Sequence, residues 1–169
     1  MLGKIAAIAI VGSGLVAGIG MYYLQVYGYY ETLEPQATYE VAVDGGMATL
    51  PITDFQGIDS FSSPLRYRAC FAVTGEVPDL VAYAGADPLN APGWFDCFQS
   101  AAIGEALTAD AARAVLVASN APYGFDRVMA LYPDGRAYVW PQINACGTAH
   151  FDGDPTPAGC PPPPQQPSD

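Results

Sequence analysis

Positive charge is nearly missing from this sequence. Lys4 is the only lysine and His150 the only histidine; five arginines (Arg66, Arg68, Arg113, Arg127, Arg136) face 17 acidic residues. A phosphate backbone needs a concentrated basic surface, so nucleic acid is excluded as a partner. All 17 acids lie beyond position 30, and against five arginines they leave residues 31–169 at net −12. An anionic membrane surface repels such a segment.

Patterns that carry chemistry are equally scarce. A Ser-His-Asp or Cys-His mechanism would have to run through His150, and no GxSxG accompanies it. No glycine-rich loop is present to cradle a nucleotide phosphate. The absence of C-x-x-C and C-x-x-C-H removes thiol exchange and covalent haem. A zinc site wants cysteines separated by about two to four residues, whereas the closest pair here, Cys146 and Cys160, stands 14 apart. In AHFDGD, Asp152-Gly153-Asp154 could open a calcium loop. The residue that should supply the closing bidentate oxygen is then Pro163, which has none. No catalytic residue, cofactor or metal ligand is therefore expected.

What is present begins with an uncharged run, IAAIAIVGSGLVAGIGMYYLQVYGYY, residues 5–30. As a helix it spans about 39 Å, against about 30 Å of bilayer hydrocarbon. Before Gln25 only Ser13 is polar, so no face suits a soluble helix. A cleavable signal usually ends its apolar stretch after about 7–15 residues; here it continues through Tyr27. Residues 1–30 thus read as a transmembrane signal anchor, with the bilayer as a partner. Tyr22, Tyr23 and Tyr27 suit an interfacial aromatic belt. Lys4 puts the N-terminus in the cytoplasm by the positive-inside rule, and Gly14-Leu-Val-Ala-Gly18 permits close packing of a second helix. Glycine is also simply common in membrane helices.

Export makes the four cysteines legible as two disulfides in an oxidising compartment. Of three connectivities, Cys70–Cys97 with Cys146–Cys160 is favoured, because each closes a local loop without crossing the other.

Residues 31–151 read as one α+β domain. Thr38–Val43 and Met47–Ile52 flank Asp44-Gly45-Gly46, a hairpin signal, and Phe125–Tyr132 and Arg136–Trp140 flank Pro133-Asp134-Gly135, a second. Leu65–Val73 alternates like a half-buried strand, with Arg66 and Arg68 on one face and Asp54 or Asp59 as their expected ion partners. Trp94–Leu107 has a broad apolar helical face. Thr108 can cap a second helix that ends at Asn120-Ala-Pro122. The expected architecture is a small antiparallel sheet with two helices on one face, stabilised by disulfides. Trp94, Tyr123, Tyr132, Tyr138 and Trp140 are assigned to its core. Residues 152–169 hold seven prolines in 18 positions, a disordered tail.

The segments SSPLRYRACF, APGWFDCFQSAAIGEAL, YGFDRVMALYPDGRAYVW and QINACG, with the membrane-segment ending YYLQVYGYYE, resemble an uncharacterised family of short single-pass alphaproteobacterial membrane proteins. The resemblance implies an inner-membrane protein with a periplasmic domain. It brings no functional residues with it.

A membrane-anchored accessory protein that binds a membrane-protein partner is the functional expectation, since a tether concentrates a small domain near other membrane proteins. Two alternatives carry distinct signatures. A carboxylate-dependent periplasmic hydrolase needs a pocket converging on acids. A ligand-binding sensor needs an apolar cavity lined by the aromatic residues.

Overall fold

The computed structural model describes residues 2–164. Its first element, α1 (Leu2–Tyr23), runs into a π-helical turn at Leu24–Gly28. The apolar span Gly3–Gly28 has mean hydropathy 2.0 and is long enough to cross a membrane. None of its most apolar window is buried against the rest of the chain, so this helix is not the core of the domain.

The domain that follows is an antiparallel sheet. Its strands are β1 (Glu31–Thr32), β2 (Thr38–Val43), β3 (Gly46–Asp59), β4 (Arg68–Val73), β5 (Arg113–Ala118), β6 (Phe125–Leu131) and β7 (Arg136–Ile143). The spatial order is β1-β3-β4-β7-β6-β5, with β2 paired to the first half of β3. Both hairpins read from turn residues are present: Gly45 (φ 77°) turns β2 into β3, and Gly135 (φ 90°) turns β6 into β7. A side chain rarely adopts such angles, which is why glycine stands at both corners.

The sheet curls until its ends meet. Leu80 bridges Val43 of β2 and Ala82 bridges Val115 of β5. The Val81 N–H donates to the Ala42 carbonyl, while the Leu116 N–H donates to that of Val81. The result is an almost closed barrel. Tyr39, Val41, Leu50, Ile52, Phe71, Val115, Met129 and Val139 point inward and form the main core. A bulge between Thr53 and Gln56, with Asp54 at φ 55°, shifts the alternation so that Phe55 also faces inward and Ile58 outward.

A second core lies outside the barrel wall, where Trp140, Val128, Ala130 and Cys70 meet Phe95, Phe98 and Ile103 of the covering segment. Helix α2 (Ser100–Thr108) belongs to that cover. It begins later than the expected Trp94 start, because residues 92–98 are held in successive turns (Phe95 N–H to Pro92, Phe98 N–H to Phe95).

The second helix expected from Thr108 to Pro122 is not formed; that stretch carries β5 instead. Asp110 (φ 55°) stops α2, and pairing with β6 puts Val115 and Val117 into the barrel, at 2% and 4% exposure. Burial of two branched side chains outweighs an alanine-rich helix propensity of a few tenths of a kcal/mol per residue. A further helix, α3 (Ala145–Asp152), is capped by the Asn144 side chain, which accepts from the Gly147 N–H, and ends at left-handed Gly153.

Both disulfides are those favoured by loop closure, Cys70–Cys97 and Cys146–Cys160. The first staples the outer cover to β4, and the second ties the chain beyond α3 back to that helix. Of the proline-rich tail, Pro161–Pro164 form no regular structure and are exposed, and residues 165–169 lie outside the described residues.

Candidate functional site

A helix end leaves carbonyl groups without helical partners. Within the π-helical turn that ends the helix, the carbonyl of Val26 accepts the indole N–H of Trp94 at 2.7 Å. The Trp94 ring stacks on Tyr27 (centroids 6.1 Å apart) and meets Tyr30 edge-on (5.8 Å). Tyr23 stacks on Tyr27 in turn, and the Arg66 guanidinium lies 5.2 Å over the Tyr30 ring. Rings and a cation thus form one continuous contact from the helix into the domain.

Trp94 is placed by two neighbouring residues of β4. Cys70 holds Cys97, three positions after Trp94. Arg68, only 4% exposed, donates to the carbonyls of Leu89 (3.0 Å) and Asn90 (2.8 Å) on the other side, and to those of Leu65 and Tyr67. The loop 89–97 is therefore pinned at both ends. Burial pushes the Arg68 guanidinium down to about 10. Four carbonyl dipoles satisfy it, and no carboxylate does. The pairing with Asp54 or Asp59 expected for Arg66 and Arg68 does not occur; among the described residues the one ion pair is Arg136–Asp134 (2.7 Å). Arg68 and Cys70 of β4 serve the loop that carries the tryptophan.

Beside Trp94 a groove of about 510 Å³ runs between Leu33–Pro35, Phe55–Ile58 and Phe95–Asp96. At the opposite end of the barrel a groove of about 470 Å³ is lined by Val77, Asp110, Arg113, Tyr132 and Asp134. Its Asp134 carboxyl is held below the usual range by hydrogen bonds from Arg136, the reverse of what a general acid requires.

Two polar clusters lie within the domain. Tyr39 and Tyr67 share a buried hydrogen bond of 2.8 Å, with the Arg127 guanidinium 4.0 Å over the Tyr67 ring; burial raises both phenols. The Asp126 carboxylate accepts from the Ser119 hydroxyl, the Asn120 N–H, the Asn144 amide and the Tyr83 hydroxyl. Burial, then the Asp126 charge, push Tyr83 up to about 12. Oδ1 of this carboxylate holds the 119–124 loop and the start of α3, and Oδ2 takes the Tyr83 hydroxyl, so its role is structural.

His150 packs against Tyr123 and Phe151 rather than beside a nucleophile. Asp152-Gly153-Asp154 forms the end of α3, with the Asp154 N–H donating to Ala149. Among the described residues no three of His, Cys, Asp and Glu gather as a metal site. Gly14 and Gly18 lie exposed on α1, where an added Cβ would meet nothing within 4 Å. Tyr22 and Tyr23 are exposed, and Tyr27 is taken by Trp94.

Trp140 lies in the core as expected, fully buried. Trp94 is half-buried, packed against the edge of the outer core where the domain meets the helix. The only local hint was its position between the Pro92-Gly93 turn and Cys97, which says that it is held but not against what.

A model of a family of unknown function (DUF6446) matches residues 38–161. The chain belongs to this family. The match runs from the first residue of β2 to just past Cys160, so the matched stretch takes in β2–β7, the outer cover and both disulfides. It does not reach α1 or β1. No curated protein and no solved structure matches the chain.

Proposed function

We propose that this member of the DUF6446 family is a single-pass accessory protein of the bacterial inner membrane, acting by binding a membrane-protein partner and not by catalysis. Its N-terminus lies in the cytoplasm and its domain in the periplasm. One observation carries the reading: an apolar helix that is unburied along its length is joined to the domain through Trp94 and Val26. A merely tethered domain needs no such joint. A domain held at a set angle to its helix can present one surface to a neighbour in the same bilayer.

Further support comes from α1 itself. Gly14 and Gly18 leave a face with nothing packed on it, suited to a second helix. Tyr22, Tyr23 and Tyr27 stand at the level where a belt would lie. The two disulfides fit an oxidising compartment. The division into span (1–30), domain (31–151) and tail (152–169) belongs to the same proposal.

Crosslinking in intact cells tests it. Full-length chain should give a discrete adduct with an integral membrane protein, lost when α1 is replaced by an unrelated span. Recovery of uncrosslinked monomer alone, after gentle crosslinking in native membranes, would sink the accessory role.

A further inference from the structure

Phe61 is 85% exposed, more than any other large apolar side chain described. It is not loosely held. The Ser60 and Ser62 hydroxyls bond each other at 2.8 Å, the Leu65 N–H donates to the Ser63 hydroxyl, and the Arg66 N–H donates to the Ser63 carbonyl. These bonds shape a turn that satisfies its own polar groups and projects one aromatic ring outward.

The topology says where that ring points. Strand β1 starts one residue after Tyr30, three residues past the π-helical turn that continues α1, and leads away from the helix. It pairs antiparallel with the end of β3, Glu31 opposite Asp59. β3 therefore runs back toward the helix exit, and Phe61 follows two residues after Asp59. A separate contact places the turn at the same level: Arg66, which closes it, lies over the ring of Tyr30. Residues 60–67 themselves contain no acid and one arginine, and the Asp59 carboxylate before them accepts from the Ser60 N–H.

We infer that Phe61 is a second membrane contact, its ring inserted into the interfacial region of the bilayer that α1 crosses. This rests on the reading of α1 as a spanning helix. Trp94 then fixes the helix to the domain, while Phe61 fixes the domain to the lipid surface, so that the barrel cannot pivot freely on Leu24–Gly28. Aromatic rings are favoured in that layer because they lose little by staying near headgroups and gain by leaving water.

Full-length chain reconstituted into vesicles of phosphatidylethanolamine and phosphatidylglycerol provides the test. Phe61→Trp adds a reporter to the constant background of Trp94 and Trp140. Met47→Trp does the same at the far end of β3, where the side chain is 54% exposed. The emission added by F61W should be blue-shifted and at least halved by lipids brominated in the acyl chain; that added by M47W should be neither. A photo-reactive phenylalanine at position 61 should yield lipid adducts. Unquenched F61W emission from chain that floats with the vesicles, or a protein adduct in place of lipid, overturns the inference and leaves the anchor intact. Chain that fails to float overturns both.

Discussion

Trp94 and Val26 lie 68 positions apart in sequence, and a single 2.7 Å hydrogen bond joins the domain of one to the helix of the other. The bond has a physical necessity on both sides. A carbonyl at a helix end and an indole N–H are each costly to leave unpaired away from water.

Trp94→Phe keeps the ring and removes the donor. A bond of this kind is worth about 1 kcal/mol net, roughly a fivefold change in a local opening equilibrium. Hydrogen exchange should quicken by about that factor at the amides of Leu24–Tyr30 and stay unchanged in β6 and β7. Uniform acceleration, or none, would show that the joint does not hold the helix.

The two disulfides should contribute comparably to stability but differently to structure. In the chain-entropy account, loops of 27 and 14 residues correspond to about 3.5 and about 3 kcal/mol. Denaturant melts of the C70S/C97S and C146S/C160S pairs should fall by these amounts. Only the first should also loosen the Trp94 loop, read as lost fluorescence anisotropy at that residue.

Arg68→Lys tests whether the buried guanidinium holds its loop. An ammonium offers three donors from one atom and cannot span carbonyls at Leu65, Tyr67, Leu89 and Asn90. The variant should lose about 2–3 kcal/mol through unsatisfied buried acceptors. A loss under about 0.5 kcal/mol in a urea melt would assign the loop's position to the disulfide alone.

Two helical glycines should respond with opposite signs. At Gly147 a Cβ would run into the backbone of Gly124, with its Cα at 2.8 Å and its carbonyl oxygen closer still. Gly147→Ala should cost about 1–3 kcal/mol by overpacking. At Gly104 the nearest atom is Pro88 Cδ, 3.9 Å away, and Gly104→Ala should stabilise by about 0.5–1 kcal/mol. Thermal melts of the two variants decide it.

Alkaline stability should follow the buried phenols. Burial raises Tyr39 and Tyr67 in the folded state, and burial with the Asp126 charge pushes Tyr83 up to about 12. The folded state thus keeps protons that the unfolded chain releases near pH 10. The stabilising term is complete below pH 10 and is lost as pH rises past it. Tyr67→Phe, with Arg68 common to both chains, should make the decline above pH 10 shallower. An equal slope in the two proteins would place the alkaline transition elsewhere.

Much of this fold was legible because the signals were local. Asp44-Gly45-Gly46 and Pro133-Asp134-Gly135 mark their hairpins through a backbone angle that few other residues adopt. The cysteine pairing followed from loop length. The Asn144 cap and Gly153 stop of α3 were also present in sequence, but no apolar period joined them. Arg66 and Arg68 misled, because proximity in sequence to acids says nothing about which polar groups a folded loop will bring closer.

Residues 5–30 by themselves determined that the chain carries a membrane-length apolar segment, since length and lack of charge need no partner to be read. The tertiary structure decided that residues 113–118 are a strand, that Leu80–Tyr83 closes the barrel, and that Trp94 meets the helix exit. In each case the deciding energy comes from contacts between distant parts of the chain. Val115 and Val117 gain more by filling the barrel than their neighbours lose by leaving a helix, and no window of sequence contains both sides of that comparison.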